Sequence, residues 1–210
     1  RDPIGLARIS RATGLNIIMG GSYYVDIAHP PEVDELGEDE LSEKIIGDVT
    51  VGANGTDVKT GVIGEVGCSW PLTDNERKVL RASGRAQIAT GAPILVHPGR
   101  DPTGGGPMQA IDVLKEVGVD IGRVIMAHLD RSIFSHDGLT ELAETGCYLE
   151  WDLFGTEVSY YDMSPRIERP NDTYRMDTIA WAISQGYGDR IVIAQIGLYG
   201  NDLPDITYRL

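Results

Sequence analysis

"GVIGEVGCSWPLTDNERKVLRASGRAQIATGAPILVHPG", residues 61–99, reads as one strand, one helix and a second strand. Its first run, 61–67, is made of small and β-branched apolar residues, the composition of a strand buried on both faces. Thr73 or Asp74 can cap a helix over 73–90, and Val79, Leu80, Ala82, Ala86 and Ile88 supply its apolar face. Gly91 ends that helix before the strand at 92–99. This is the βα repeat of a parallel sheet.

The same alternation runs outward in both directions. Further strands are expected at 14–21, 123–130, 147–155 and 189–195, and further helices at 38–47, 107–117, 137–145 and 172–186. Residues 3–13 read as the tail of a helix feeding the first strand. The acidic stretch "PPEVDELGEDELSEK" (30–44) reads as a loop passing into an amphipathic helix that buries Leu36, Leu41, Ile45 and Ile46. "PTGGGP" (102–107) reads as a flexible loop after a strand.

One residue in the opening stretch conflicts with a buried strand. Glu65 is an acid near the end of an apolar run, and an ionised carboxylate there is costly unless it is paired or bound to a metal. His97 follows 32 residues later and His128 another 31, each near the C-terminal end of its own strand and about one βα repeat apart. Adjacent parallel strands bring such ends to one edge of the sheet, where the sites of α/β proteins lie. One carboxylate and two imidazoles with open positions form a recurrent set for Zn²⁺ or Fe²⁺, able to activate a water for hydrolysis. The alternative is a buried polar network without a metal.

Composition narrows the remaining classes. With 41% hydrophobic and 24% charged residues in 210, the chain is an ordinary globular one, and one domain is the default. A formal charge of -14 disfavours nucleic acid and anionic membrane as partners. Two cysteines outside any CxxC arrangement fit a reducing compartment, and the cytoplasm is the expectation. No apolar stretch nears the roughly 20 residues that span a bilayer. The start has neither an initiator Met nor a signal-peptide apolar region, so the chain is expected to be a piece of something longer.

The segments "GVIGEVGCSWPLTDNERKVL", "LVHPGRDP", "VIMAHLDRS" and "GCYLEWDLFGTE" resemble the phosphotriesterase-related family, in the phosphotriesterase branch of the amidohydrolase superfamily, over about residues 14–195. The resemblance implies a (β/α)8 TIM barrel of the metal-dependent hydrolase type, with two metals, normally zinc, at the C-terminal strand ends. It implies Glu65 as the bridging ligand, with His97 and His128 as the ligands from strands five and six. It also implies amide hydrolysis of small N-acyl substrates, N-acetyltaurine foremost, by a metal-activated hydroxide.

The departures from the family pattern are equally specific. The chain has no HxH pair, and His29 lies in a loop and cannot replace one. Ile196 stands where the eighth-strand Asp belongs, and Asp202 and Asp205 lie too far beyond it. About six of eight βα units are therefore expected: an incomplete barrel domain over 1–195 and a divergent tail over 196–210. One zinc or none is expected here, and a truncated, catalytically incompetent form is the alternative to a working enzyme.

Arg100 and Arg131 follow the two histidine strand ends and could point cations at an anionic small-molecule substrate, or pair with Asp101 and Asp130. Tyr23 and Tyr24 are candidates for the substrate wall or for the core. Asp130 is expected to orient a ligating histidine from behind or to cap the next helix. One of Glu150, Trp151 and Asp152 is expected to line the substrate site. Cys68 has no basic neighbour to make it a nucleophile, and His136 is expected in solvent.

Overall fold

The computed structural model describes residues 2–156 and 170–195. In chain order the elements are α1 (Pro3–Thr13), β1 (Gly20–Gly21), α2 (Glu32–Glu35), α3 (Glu38–Thr50), β2 (Val62–Gly67), α4 (Asp74–Thr90), β3 (Ile94–His97), α5 (Gly106–Val117), β4 (Val124–Met126), α6 (His136–Glu144), β5 (Tyr148–Trp151), α7 (Asp172–Ser184) and β6 (Ile191–Ile193). The strands form one sheet in sequence order, every pairing parallel. A doubly wound sheet reverses its strand order partway, whereas a barrel never does. Six strands wound in one sense make a partial α/β barrel, and β1 and β6 are its edges among the described residues. The tail expected over 196–210, with Ile196, Asp202 and Asp205, lies outside the described residues.

The unit that decides the fold forms as its residues dictate. Thr73 caps α4 by accepting from the Glu76 N–H, and Glu76 accepts in return from the Thr73 N–H, both at 3.1 Å. Gly91 closes the helix in the left-handed conformation, φ 72°. Ile63, Val66, Ile94 and Val96 lie fully buried in a core with Val79 and Leu80 of α4. The same layer continues through Ile111 and Leu114 of α5, Val124 and Met126 of β4, and Leu149 and Trp151 of β5. Each such aliphatic side chain contributes about 1.5–3 kcal/mol by leaving water.

Three expectations need correction. The apolar run 14–21 pairs only through Gly20 and Gly21, while Leu15, Ile17 and Ile18 are exposed. An apolar run marks residues that can be buried, but β1 is a sheet edge and offers them no cover. Ile88 is exposed as well. The buried stripe of α4 runs through Ser83, Ala86 and Gln87, and the Gln87 amide donates to the Asp120 carbonyl at 2.8 Å, so Ile88 turns one residue too far round the helix. The strand expected over 123–130 stops at Met126, because His128 takes a left-handed conformation (φ 58°) and a 3-10 turn follows over Leu129–Arg131.

The acidic stretch starts a turn early as α2, which ends at the half-buried Leu36, then enters α3, where Leu41 and Ile45 are buried and Ile46 is half-buried. Among the described residues no helix is long and apolar enough to cross a membrane.

Candidate metal centre

Glu65 reaches the site because β2 is irregular. Ile63 pairs with Ile94 but Val66 pairs with Val96, so β2 carries one residue more than β3 over that interval. Such a bulge re-aims a side chain. Both Ile63 and Val66 stay in the core while Glu65 turns to the other face, its side chain 29% exposed. Gly64, at φ 143°, permits the bend; a Cβ there would stand 2.4 Å from the Leu95 carbonyl oxygen.

His97 ends β3, and His128 follows β4 in a conformation uncommon for a side chain of its size. Asp152, directly after β5, accepts from the His128 backbone N–H at 3.2 Å and places the same oxygen 2.7 Å from Nδ1 of the ring. That carboxylate holds the ring with Nε2 facing inward.

Three potential ligand atoms then converge. Glu65 Oε1 lies 2.6 Å from His128 Nε2 and 3.2 Å from His97 Nδ1, and the two nitrogens are 2.8 Å apart. Ligands of a tetrahedral Zn²⁺, with bonds of 2.0–2.1 Å, stand about 3.3 Å apart. The donor set and its spacing therefore fit a divalent cation after a small outward shift, and Glu65, His97 and His128 form the one such group among the described residues.

The electrostatics follow from burial and contact. Burial opposes ionisation of Glu65, but hydrogen bonds with His128 and His97 overcome it and hold the carboxyl well below its usual range. Burial is also the largest influence on His97 and, with the nearby Arg131 charge, pushes it down to about 4, so this ring is neutral as a ligand must be. For His128 burial is outweighed by Asp152 and Glu65, which raise its pKa.

The other candidates are placed as follows. Tyr24 reaches the cluster, its hydroxyl 3.1 Å from His97 Nδ1. Tyr23 leaves the chain in another direction and donates to Glu32 Oε1 at 2.9 Å, away from the cluster. Both tyrosines and Glu65 line a cleft of about 1010 Å³ that extends to Lys44 and Asp48 on α3. Arg131 is buried, with Nη2 3.0 Å from His97 Nε2. Arg100 is half-buried and near enough for its charge to act on Arg131. Asp101 accepts from the N–H groups of Thr103 and Gly105 at 2.9 and 2.7 Å and so closes the loop expected to be flexible.

Asp130 is corrected. It hydrogen-bonds to neither histidine ring and caps no helix; it accepts from the Leu153 N–H at 2.9 Å and from Arg175 Nε at 3.1 Å. The 3-10 turn that ends β4 swings Asp130 toward α7 and Arg131 toward His97, and Asp152 takes the orienting role. The strand alternation that puts Trp151 in the core and Asp152 on the opposite face was the signal for it. Glu76 is another buried acid with a role the sequence did not announce. It accepts from Asp26 N–H (3.0 Å), Ser69 N–H (2.9 Å) and Ser69 Oγ (2.8 Å), tying the loops after β1 and β2 to the start of α4. His136 is exposed, stacked on Trp181 at 4.0 Å, and Cys68 is buried, which pushes its thiol well above the usual range.

Glu150, two residues before Asp152, is pushed up to about 7 by burial and by the Asp152 charge, from 4.5 for a free glutamate. The folded chain therefore keeps a proton that the unfolded chain loses, and stability falls as pH rises from about 4.5 to about 7. Glu150→Gln is expected to flatten that decline when thermal midpoints of the two proteins are compared across this window. Parallel curves would remove the effect from Glu150.

A partial parallel barrel with one carboxylate and two imidazoles at its C-terminal strand ends defines a class, the α/β-barrel proteins with a hydrolase-type metal ligand set. A profile of the phosphotriesterase family matches residues 1–202. The chain belongs to the phosphotriesterase family. It is 49% identical over 194 residues to a phosphotriesterase-related protein of Nematostella vectensis and 47% identical to the N-acetyltaurine hydrolase of Rattus norvegicus, in each case over 92% of this chain and 55% of the relative. It thus spans about half the length of these relatives. Among solved structures, a resiniferatoxin-binding protein from Rhodobacter sphaeroides superposes with a TM-score of 0.87 at 32% identity, covering 92% of this chain and 53% of that one. The phosphotriesterase homology protein of Escherichia coli, complexed with phosphate in its active site, gives 0.81 at 26%, over 95% and 65%.

Proposed function

We propose that residues 1–195 form the barrel portion of a metal-dependent hydrolase that cleaves the amide bond of small N-acyl substrates. The observation that carries this reading is the convergence of Glu65 Oε1, His97 Nδ1 and His128 Nε2 within 3.2 Å of one another. Zinc, when bound, would supply Lewis acidity to polarise a carbonyl and lower the pKa of water. Glu65 contributes the anionic ligand, and its hold on both imidazoles keeps the set together. Asp152 fixes the direction of His128. Tyr24, partly exposed beside His97, is placed to meet a substrate atom at the cleft.

The similarity to N-acetyltaurine hydrolases at 43–47% identity supports an anionic N-acyl amine as substrate. Arg100, half-buried just beyond His97, is the cation we assign to the acid head. Cys68 and Cys147 are free and buried, which fits a reducing compartment, and we assign the chain to the cytoplasm.

A second reading, a truncated form that binds at most one metal and does not turn over, is favoured by the same cluster. It offers three ligands among the described residues. Release of free amine from N-acetyltaurine by the zinc-loaded chain, measured with zinc content on the same sample, separates the two. Turnover that disappears on chelation supports the enzyme. One zinc per chain without turnover supports the truncated form.

A further inference from the structure

We propose that Arg131 restrains the cation affinity of the Glu65–His97–His128 cluster, acting as a positioning residue through His97. The inference rests on the reading of that cluster as a cation site and adds a control on how tightly it binds.

A guanidinium carries only donors, so the contact of 3.0 Å between Arg131 Nη2 and His97 Nε2 requires Nε2 to accept. A neutral imidazole that accepts at Nε2 carries its proton on Nδ1. That nitrogen is the one facing Glu65 Oε1 at 3.2 Å and His128 Nε2 at 2.8 Å, the place a cation must occupy. Ligation through Nδ1 forces the proton onto Nε2, where an N–H then meets the N–H of the guanidinium. Arg131 cannot relieve the conflict by losing a proton.

Nor can it withdraw freely. It is 3% exposed, and its Nη1 lies 3.5 Å from the Pro98 carbonyl oxygen under the turn that follows β3. Its positive charge adds a second opposition to a divalent ion a few ångströms away. Asp152 acts in the opposite sense, since it is an acceptor against the outer nitrogen of His128 and leaves the inner one to the cation. The two imidazoles thus have outer partners of opposite character, one favouring metal and one resisting it.

Zn²⁺ titration against a competing chelator tests this on the 210-residue chain. Arg131→Gln removes the charge and offers an oxygen that accepts from Nε2–H, so it is expected to bind Zn²⁺ at least about 10-fold more tightly than the wild type. Arg131→Lys keeps the charge and is expected to gain less. Equal or weaker binding by the Gln variant, with Zn²⁺ bound by the wild type, overturns this inference and leaves the cation site standing. Zn²⁺ bound by neither protein overturns both.

A measurement on the wild type alone does not depend on the variants folding. Imidazole ¹⁵N chemical shifts of the chelator-treated protein should show His97 with Nδ1 protonated and Nε2 bare. The reverse tautomer overturns the proposal.

Discussion

Glu65→Ala is expected to abolish stoichiometric binding of divalent cations, weakening it by at least about 100-fold. Changing a mere outer partner of a metal ligand costs 10–100-fold in affinity, and Glu65 is the sole anion in the set. Two imidazoles remain after the change, and neither supplies the negative charge that offsets removing a dication from water. His97→Ala and His128→Ala are expected to fall in the same range, because each removes one of three converging atoms. Elemental analysis of the purified variants beside the wild type gives the count, and chelator competition gives the affinity. Should Glu65→Ala retain the wild-type metal content, the cluster would instead be a polar network, with the carboxylate serving only to pair two buried rings.

The residues of this cluster were legible in the sequence because they break a rule that their surroundings obey. An acid in an apolar strand and two histidines at strand ends stand out against the continuous apolar runs that carry them, and the near-equal spacing follows from the repeat itself. The helix at 73–90 was legible for a similar reason: its cap and its stop are local chemistry, complete within a few residues. What lay outside the sequence was set by neighbours. The exposure of Ile18 depends on β1 being an edge, and the bulge that aims Glu65 depends on its register against β3. Asp130 and Arg131 both left their expected places because β4 ends at Met126, four residues short of the strand expected over 123–130. In the 3-10 turn that replaces it, successive side chains rotate by about 120° instead of alternating.

Arg175→Met is expected to destabilise the chain by about 3–5 kcal/mol, the range for breaking a buried ion pair from one side. Both side chains of the pair are fully buried, with Arg175 Nε 3.1 Å from Asp130 Oδ2. The guanidinium also donates to Asp172 Oδ1 at 2.5 Å and to the Thr156 carbonyl at 2.9 Å, so its loss takes a donor from three acceptors at once. Burial, and then the Asp152 charge, already raise the Asp130 pKa, and Arg175 is among the groups that hold it down. For a domain of this size the loss corresponds to a fall in thermal midpoint on the order of 10 °C.

The pair itself is worth less than its disruption. The double variant Asp130→Leu/Arg175→Met is therefore expected to lie closer to the wild type than either single change. A double variant as unstable as the sum of the singles would show that the hydrogen bonds to Leu153 and Thr156, and not the uncompensated charge, carry the effect. The same contacts link stability to the site. Asp130 holds the Leu153 N–H, Arg175 holds the Thr156 carbonyl, and Asp152 immediately precedes the segment they fix. Loosening that segment frees Asp152 from His128, so cation affinity is expected to fall in Arg175→Met even at temperatures where the chain remains folded.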